Sequence, residues 1–278
     1  MTGAMKEKGR GHDHDAWRLI LDGAGDGGAN MAVDEAMLRS AESSALAGLT
    51  PPTVFRLYSW ERPTISVGYG QDAVAFKKLK PALPVVRRVT GGRAVLHDAE
   101  LTYSLVSPAS GPVYDLGIDG AYMAVSRAIV RALNGFGVKA ELTPGKRKSG
   151  NGAVQARQKP ARHEACFHAA SRHEVTINGK KAVGSAQRRF RGAFLLHGSI
   201  LFDVDRKLSE RVFGSGFIEA VSWVNAFSSV TAEEFSVVLV DSMAEEFGAR
   251  FTRDALSEHE QYLKKKLSTE RHPTTAPS

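Results

Sequence analysis

Apolar residues recur along this chain in two rhythms. In the first, Val125, Ala128, Ile129, Ala132, Leu133 and Phe136 follow Ala121 at the spacing of one helix face, and Gly137 ends the run. A helix apolar on one side only should cover a sheet. A second helix is expected over residues 31–40, with Asn30 as its N-cap and Asp34 and Glu35 in or near the first turns, where carboxylates suit the helix dipole. A third follows the capping box of Thr231 and Glu234, carrying Phe235, Val238, Leu239, Met243 and Phe247 on one side.

The second rhythm alternates. Ile65, Val67 and Tyr69 face one way over residues 64–69, and Leu101, Tyr103 and Leu105 do so over residues 101–106, so both read as strands. Residues 195–204 read as another. Asn178-Gly179, between 174–177 and 180–183, is the signal of a two-residue hairpin turn. A strand at 85–88 runs through Gly91-Gly92 into a second extended segment at 94–98. Residues 143–163, rich in Lys, Arg, Gly, Gln and Pro, have the composition of a long loop, and the Lys- and Thr/Pro-rich chain beyond about residue 261 is expected to fray. Helices interspersed among short, hairpin-connected strands give an α+β fold, with mixed β-sheets flanked by helices.

At 278 residues, with no internal repeat, the chain should hold one catalytic domain at 17–260, its core at about 48–250, between a disordered N-terminal extension (1–16) and a frayed C-terminal tail (261–278). No apolar run approaches the roughly 18–20 residues that span a bilayer, and the polar start is unlike a signal peptide, so a cytoplasmic protein is expected, with no membrane partner. One cysteine forms no internal disulfide, which suits a reducing compartment. The formal charge of +7 and pI near 9.5 favour acidic partners without choosing among nucleic acid, anionic membrane and acidic protein.

That cysteine, Cys166, sits between the polar loop and the hairpin, where scaffolds expose reactive groups. On its own, a lone cysteine is most simply a buried structural residue. To act as a nucleophile it needs a nearby cation to favour the thiolate, and Lys180, Lys181, His163, His168 and His197 all qualify. Gly91-Gly92 reads either as a plain turn or as a place where a ligand approaches the backbone. The run Arg188-Arg189-Phe190-Arg191 carries a weak nucleic-acid signal and is more simply a solvated strand end. His12 and His14 have no partners at zinc-like spacing, so no metal is assigned.

Four segments in register resemble the lipoate/biotin protein ligase superfamily. They are Asn30 to Ala36; Arg87-Arg88-Val89-Thr90-Gly91-Gly92-Arg93 through His97-Asp98; Lys181-Ala182-Val183-Gly184-Ser185-Ala186-Gln187; and His197-Gly198-Ser199. Glu100 to Ser104 and Cys166-Phe167 ahead of Lys181 resemble one branch most, the cysteine-dependent octanoyl-carrier-protein:protein octanoyltransferases (LipM type). The resemblance implies the ligase catalytic-domain fold. It further implies that Cys166 forms an acyl-thioester and that Lys181, fifteen residues on, lowers its pKa. Arg88, Thr90, Gly91, Gly92, Arg93, His97, Gly184, Ser185, Ala186, His197 and Gly198 would line the acyl and carrier-arm pocket.

The implied reaction moves an octanoyl group from octanoyl-acyl carrier protein to a lysine of a lipoyl-domain protein of the glycine cleavage H type, in endogenous lipoate synthesis, with no cofactor and no ATP. The chain is expected to work as a monomer without nucleic acid. Two alternatives share the scaffold: an amidotransferase between lipoyl proteins, and an ATP-dependent lipoate ligase, whose usual extra C-terminal domain has no room here. A basic nucleic-acid-binding module is the non-enzymatic alternative.

Overall fold

The computed structural model describes residues 15–143 and 174–272. The chain runs β1 (Ala16–Gly25), α1 (Gly27–Leu46), β2 (Val54–Trp60), β3 (Thr64–Val67), α2 (Val74–Lys77), β4 (Val85–Arg87), β5 (Val95–His97), β6 (Glu100–Pro108), α3 (Pro112–Asp115), α4 (Gly117–Gly135) and β7 (Ala140–Leu142). It continues with β8 (Val175–Ile177), β9 (Lys180–Lys181), β10 (Val183–Arg189), β11 (Ala193–Leu201), α5 (Arg206–Phe213), α6 (Phe217–Ala220), α7 (Ala232–Phe247), β12 (Arg250–Arg253) and α8 (Glu258–Glu270).

The large sheet has the order β10-β11-β6-β2-β1-β12, antiparallel from β10 to β2 and parallel from β2 to β12. Helices cover both of its faces, which is why every residue of β6 and β11 is buried. Alternation still sorts the side chains. Leu101, Tyr103 and Leu105 of β6, with Phe194, Leu196 and Ile200 of β11, pack against α4 and α7 in the main core. Val106 and Leu195 point the other way, onto Val33, Met37 and Leu38 of α1. A small sheet, β4-β3-β5, is covered by α2 and α5 through Phe76 and Val212. The third, β7-β8-β9, contains the expected hairpin, with Asn178 at φ 50° and Gly179 at φ 73°, as a turn with two left-handed residues requires.

Three expectations are corrected. The first helix begins at Gly27, capped by Asp26, whose carboxylate accepts the Gly28 N–H; Asn30, Asp34 and Glu35 therefore lie inside the helix and are buried. The strand expected over 64–69 stops at Val67, leaving Tyr69 51% exposed. The chain beyond 261 does not fray at once: α8 continues to Glu270, started by a capping box of Ser257 and Glu260. It lies along α1, seating Leu267 on Ala32 and Ala36, and Arg18 clamps Glu260 at 2.8 Å. Beyond its end, His272 reaches Glu35 at 2.9 Å. Among the described residues no helix is long and apolar enough to cross a membrane.

Candidate active site

The strand period that sends β11's Leu196 into the main core sends His197 and Ser199 to the opposite face, toward α1 and the small sheet. There, with Tyr58 of β2, Ser66 of β3, His97 of β5 and Thr102 of β6, they line a narrow cleft. Of the residues singled out from sequence, Arg88, His97, Gly184, Ser185, Ala186, His197 and Gly198 line it. Gly198 is held tightly between β10 and Tyr103: a Cβ here would meet the Gly184 carbonyl and the Ser185 Oγ at 2.8 Å and the Tyr103 hydroxyl at 2.7 Å.

Thr90, Gly91, Gly92 and Arg93 do not line the cleft. Instead the guanidinium of Arg88 donates to the carbonyls of Gly91 (2.8 Å) and Arg93 (2.7 Å) and to Ser66 (3.0 Å to its carbonyl), stapling the glycine turn under the wall. Gly92 holds φ 94°, a conformation that favours glycine. Thr90 is fully buried behind His197.

His197 is the centre of a relay. Its Nδ1 lies 3.0 Å from Asp34 Oδ2 and its Nε2 lies 2.7 Å from Thr90 Oγ1. Burial works against charge on Asp34, but the His197 hydrogen bond and the Arg56 guanidinium outweigh it and hold the carboxyl below its usual range. Burial, with the charges of Arg88 and His97, lowers the His197 pKa despite the pull of Asp34, so the imidazole is neutral at pH 7. An ionised Asp34 only accepts, so Nδ1 carries the proton and Nε2 takes a hydrogen bond from the Thr90 hydroxyl. Arg56 Nη1 donates to Asp34 at 2.9 Å and the Tyr58 hydroxyl does so at 3.0 Å; burial, then Asp34's charge, push the Tyr58 pKa well up, so this hydroxyl keeps its proton. A second cluster braces His97. Its Nδ1 is 2.7 Å from Glu100 Oε1 and its Nε2 is 2.7 Å from Ser66 Oγ, while Trp60 stacks on the ring at 3.9 Å.

Lys181 stands at the start of the polypeptide that becomes the cleft wall, three residues before Gly184. It is 7% exposed and does not line the cleft; its Nζ pairs with Glu174 Oε1 at 2.5 Å. Cys166 lies outside the described residues, as do His12, His14, His163, His168, Arg172 and His173. No group of three or more His, Cys, Asp or Glu among the described residues is arranged to hold a metal ion. The basic run is half-buried up to Phe190 and exposed at Arg191; Arg189 stacks on Tyr114 at 4.0 Å, and Arg188 on the exposed Tyr69 at 4.7 Å.

Sequence reasoning reached both cleft histidines and Arg88 but missed Arg56 and Glu100 as partners, and took Asp34 for a helix-dipole residue. One signal was there to be used. Arg56 sits in Val54-Phe55-Arg56-Leu57-Tyr58, a charge in an apolar strand, and a buried guanidinium demands a carboxylate.

The lipoyl protein ligase A/B catalytic domain family matches residues 26–248. The chain is 40% identical to the octanoyltransferase LipM of Kyrpidia tusciae, with 90% of this chain and 94% of the relative aligned. It is 35% identical to that of Carboxydothermus hydrogenoformans, over 94% and 97%. Two solved structures share the fold. A lipoate-protein ligase A bound with ATP superposes with TM-score 0.75 at 24% identity, covering 94% of this chain and 97% of that one. A bipartite lipoate protein ligase from Thermoplasma acidophilum does so with 0.71 at 23%, covering 93% and 94%. Cleft, turn and relay thus stand on a shared scaffold, and the chain belongs to the lipoyl protein ligase A/B catalytic domain family, among the LipM octanoyltransferases.

Proposed function

We propose that this chain, in the cytoplasm, takes an octanoyl group from octanoyl-acyl carrier protein onto Cys166 and passes it to a lysine of a lipoyl-domain protein of the glycine cleavage H type. The observation that carries the reading is Lys181: a lysine 93% removed from solvent, ion-paired, and at the head of the segment that walls the cleft. Lysine rarely accepts such burial without a task or a partner, and this one lies fifteen residues beyond the single cysteine.

In the first step the Cys166 thiolate attacks the carrier's thioester carbonyl; the C–S bond to the carrier breaks and the carrier leaves as its thiol after taking a proton. In the second, the neutral acceptor amine attacks the enzyme thioester, the C–S bond to Cys166 breaks, and the proton lost from nitrogen restores the thiol or reaches solvent. A thioester is exchanged for a thioester and then for an amide, so ATP is not required. A cleft that buries the chain measures acyl length, at about 0.8 kcal/mol per CH₂. His97 and His197, each fixed at both ring nitrogens, make its polar wall rigid.

The test follows octanoylation of the acceptor protein by mass, with octanoyl-acyl carrier protein and without ATP. Transfer is expected from the wild type, to vanish in Cys166→Ala, and to fall by about 100-fold or more in Lys181→Ala, the range for losing an activating group. Transfer that survives Cys166→Ala, or that demands ATP, would overturn the reading.

A further inference from the structure

One residue in the wall of the acyl cleft has no part in the relay or in the cluster that braces His97. Met31, on α1, is 3% exposed and lines the cleft, packed in one apolar cluster with Tyr58, Trp60 and Val86. The free space in the cleft is about 30 Å³, enough for water but not for an octanoyl chain. An acyl chain therefore enters only where the wall gives way.

Most of the wall is held. Its polar side chains are bonded to other parts of the protein: Tyr58 and His197 to Asp34, Ser66 to His97, Thr102 and Ser199 to Glu100, and Ser185 to Tyr103. Arg88 is spent on the glycine turn. Displacing any of these would strip a buried polar group of its partner, a cost that moving an apolar side chain does not carry. Gly184, Ala186 and Gly198 have no side-chain rotamer to change, and Val95 is β-branched and stiff, clustered with Leu201 and Phe217. Nor is α1 free to shift. Asn30 donates to the Gly25 and Ser59 carbonyls at 3.2 and 2.9 Å, and the helix sits so close to β3 that a Cβ on Gly27 would meet Thr64 at 2.8 Å.

Met31 differs from all of these. Its side chain is unbranched, has three rotatable bonds and carries no hydrogen bond to lose, the properties that let methionine refill an irregular space. Its neighbours Trp60 and Val86 are apolar, so shortening Met31 opens room that a longer alkyl chain can fill.

We propose that Met31 is the specificity-determining residue for acyl length: its side chain turns aside to admit the acyl chain, and its volume sets the longest chain the cleft accepts. The octanoyl group as guest rests on the acyl-transfer reading; Met31 as the yielding wall rests on the cleft itself.

The experiment measures equilibrium binding of Nε-hexanoyl-, octanoyl-, decanoyl- and dodecanoyl-lysine, the acylated end of the product, to the full chain by titration calorimetry. The wild type is expected to bind the octanoyl form best. Met31→Ala should move the ratio of decanoyl to octanoyl affinity about tenfold toward decanoyl, the scale of two further buried methylenes. Met31→Val should move it the same way by less, and guards against an alanine variant that fails to fold. An unchanged ratio, or a loss shared by every length, would make Met31 a packing residue only and overturn the proposal, as would a wild type that binds none of the four. Intact mass with octanoyl- and decanoyl-acyl carrier protein separates the two readings. A shifted ratio without an acyl-enzyme would keep Met31 and sink the transfer reading; an acyl-enzyme without the shift would sink Met31 alone.

Discussion

Asp34 and Arg56 are 1% and 2% exposed, so neither charge has water to fall back on. Such a pair is worth little against an apolar replacement of both, but removing Asp34 leaves Arg56 only the more exposed Asp22, at 2.7 Å, and deprives the Tyr58 hydroxyl and His197 of their acceptor, at about 3–5 kcal/mol. Asp34→Ala should therefore lose about that much in urea unfolding, while a surface change such as Glu245→Ala should shift it by no more than about 0.5 kcal/mol. The pH dependence has a definite sign. His197's folded pKa lies below its ordinary 6.5, so as pH falls through 6.5 the unfolded chain gains a proton that the folded one refuses, and stability declines. Asp34's folded pKa lies below its ordinary 3.8; its contribution is full above that value and is lost only as pH falls further. Acid unfolding should thus begin with a shallow loss below about pH 6.5, ahead of the carboxylate transition. His197→Gln should remove the shallow phase in a denaturation series; an identical profile in that variant would contradict the assignment.

Among the elements, β11 carries the most: one face holds His197 and Ser199 of the site between core residues such as Leu195, and the other face, with Phe194, Leu196 and Ile200, holds the main core. Gly198 is the exception on that second face, because Gly184, Ser185 and Tyr103 leave no room for a Cβ. Gly198→Ala has to part β10 from β11 or displace backbone, at about 1–3 kcal/mol for an overpacked position. Lower thermal stability and a larger loss of acyl transfer are expected; wild-type values for both would show that the wall tolerates movement. What was legible in the sequence follows from range. Asn178-Gly179 specifies its own turn through two left-handed residues, and the apolar face of α4 is written at a fixed period, so both were read correctly. α8 was not: it buries few apolar residues, and its hold on α1 through Leu267, with Arg18 on Glu260, pairs residues more than 200 positions apart. Asp34 and Glu35 were misread for a related reason. A carboxylate near a helix start looks the same whether it faces the dipole or a buried Arg56 and His272.

For the whole molecule, the cleft lies where two sheets meet. Thr102 and Ser199, on neighbouring strands of the large sheet, both donate to Glu100, and His97 touches it from the small sheet, so this one carboxylate ties the two sheets together beside the cleft. A net positive charge would steer acidic carrier and acceptor domains toward the protein. The sequence disclosed the cleft through short motifs, each local in the chain, while the contacts that join those motifs arise only through folding. The transfer reading presupposes that the acyl group rests on the enzyme between donor and acceptor. Incubating the protein with octanoyl-acyl carrier protein, without ATP or acceptor, and weighing it before and after hydroxylamine tests this directly. The account expects one octanoyl adduct that hydroxylamine removes and that Cys166→Ala does not form; an unmodified wild-type mass, or an adduct that survives in Cys166→Ala, would contradict it.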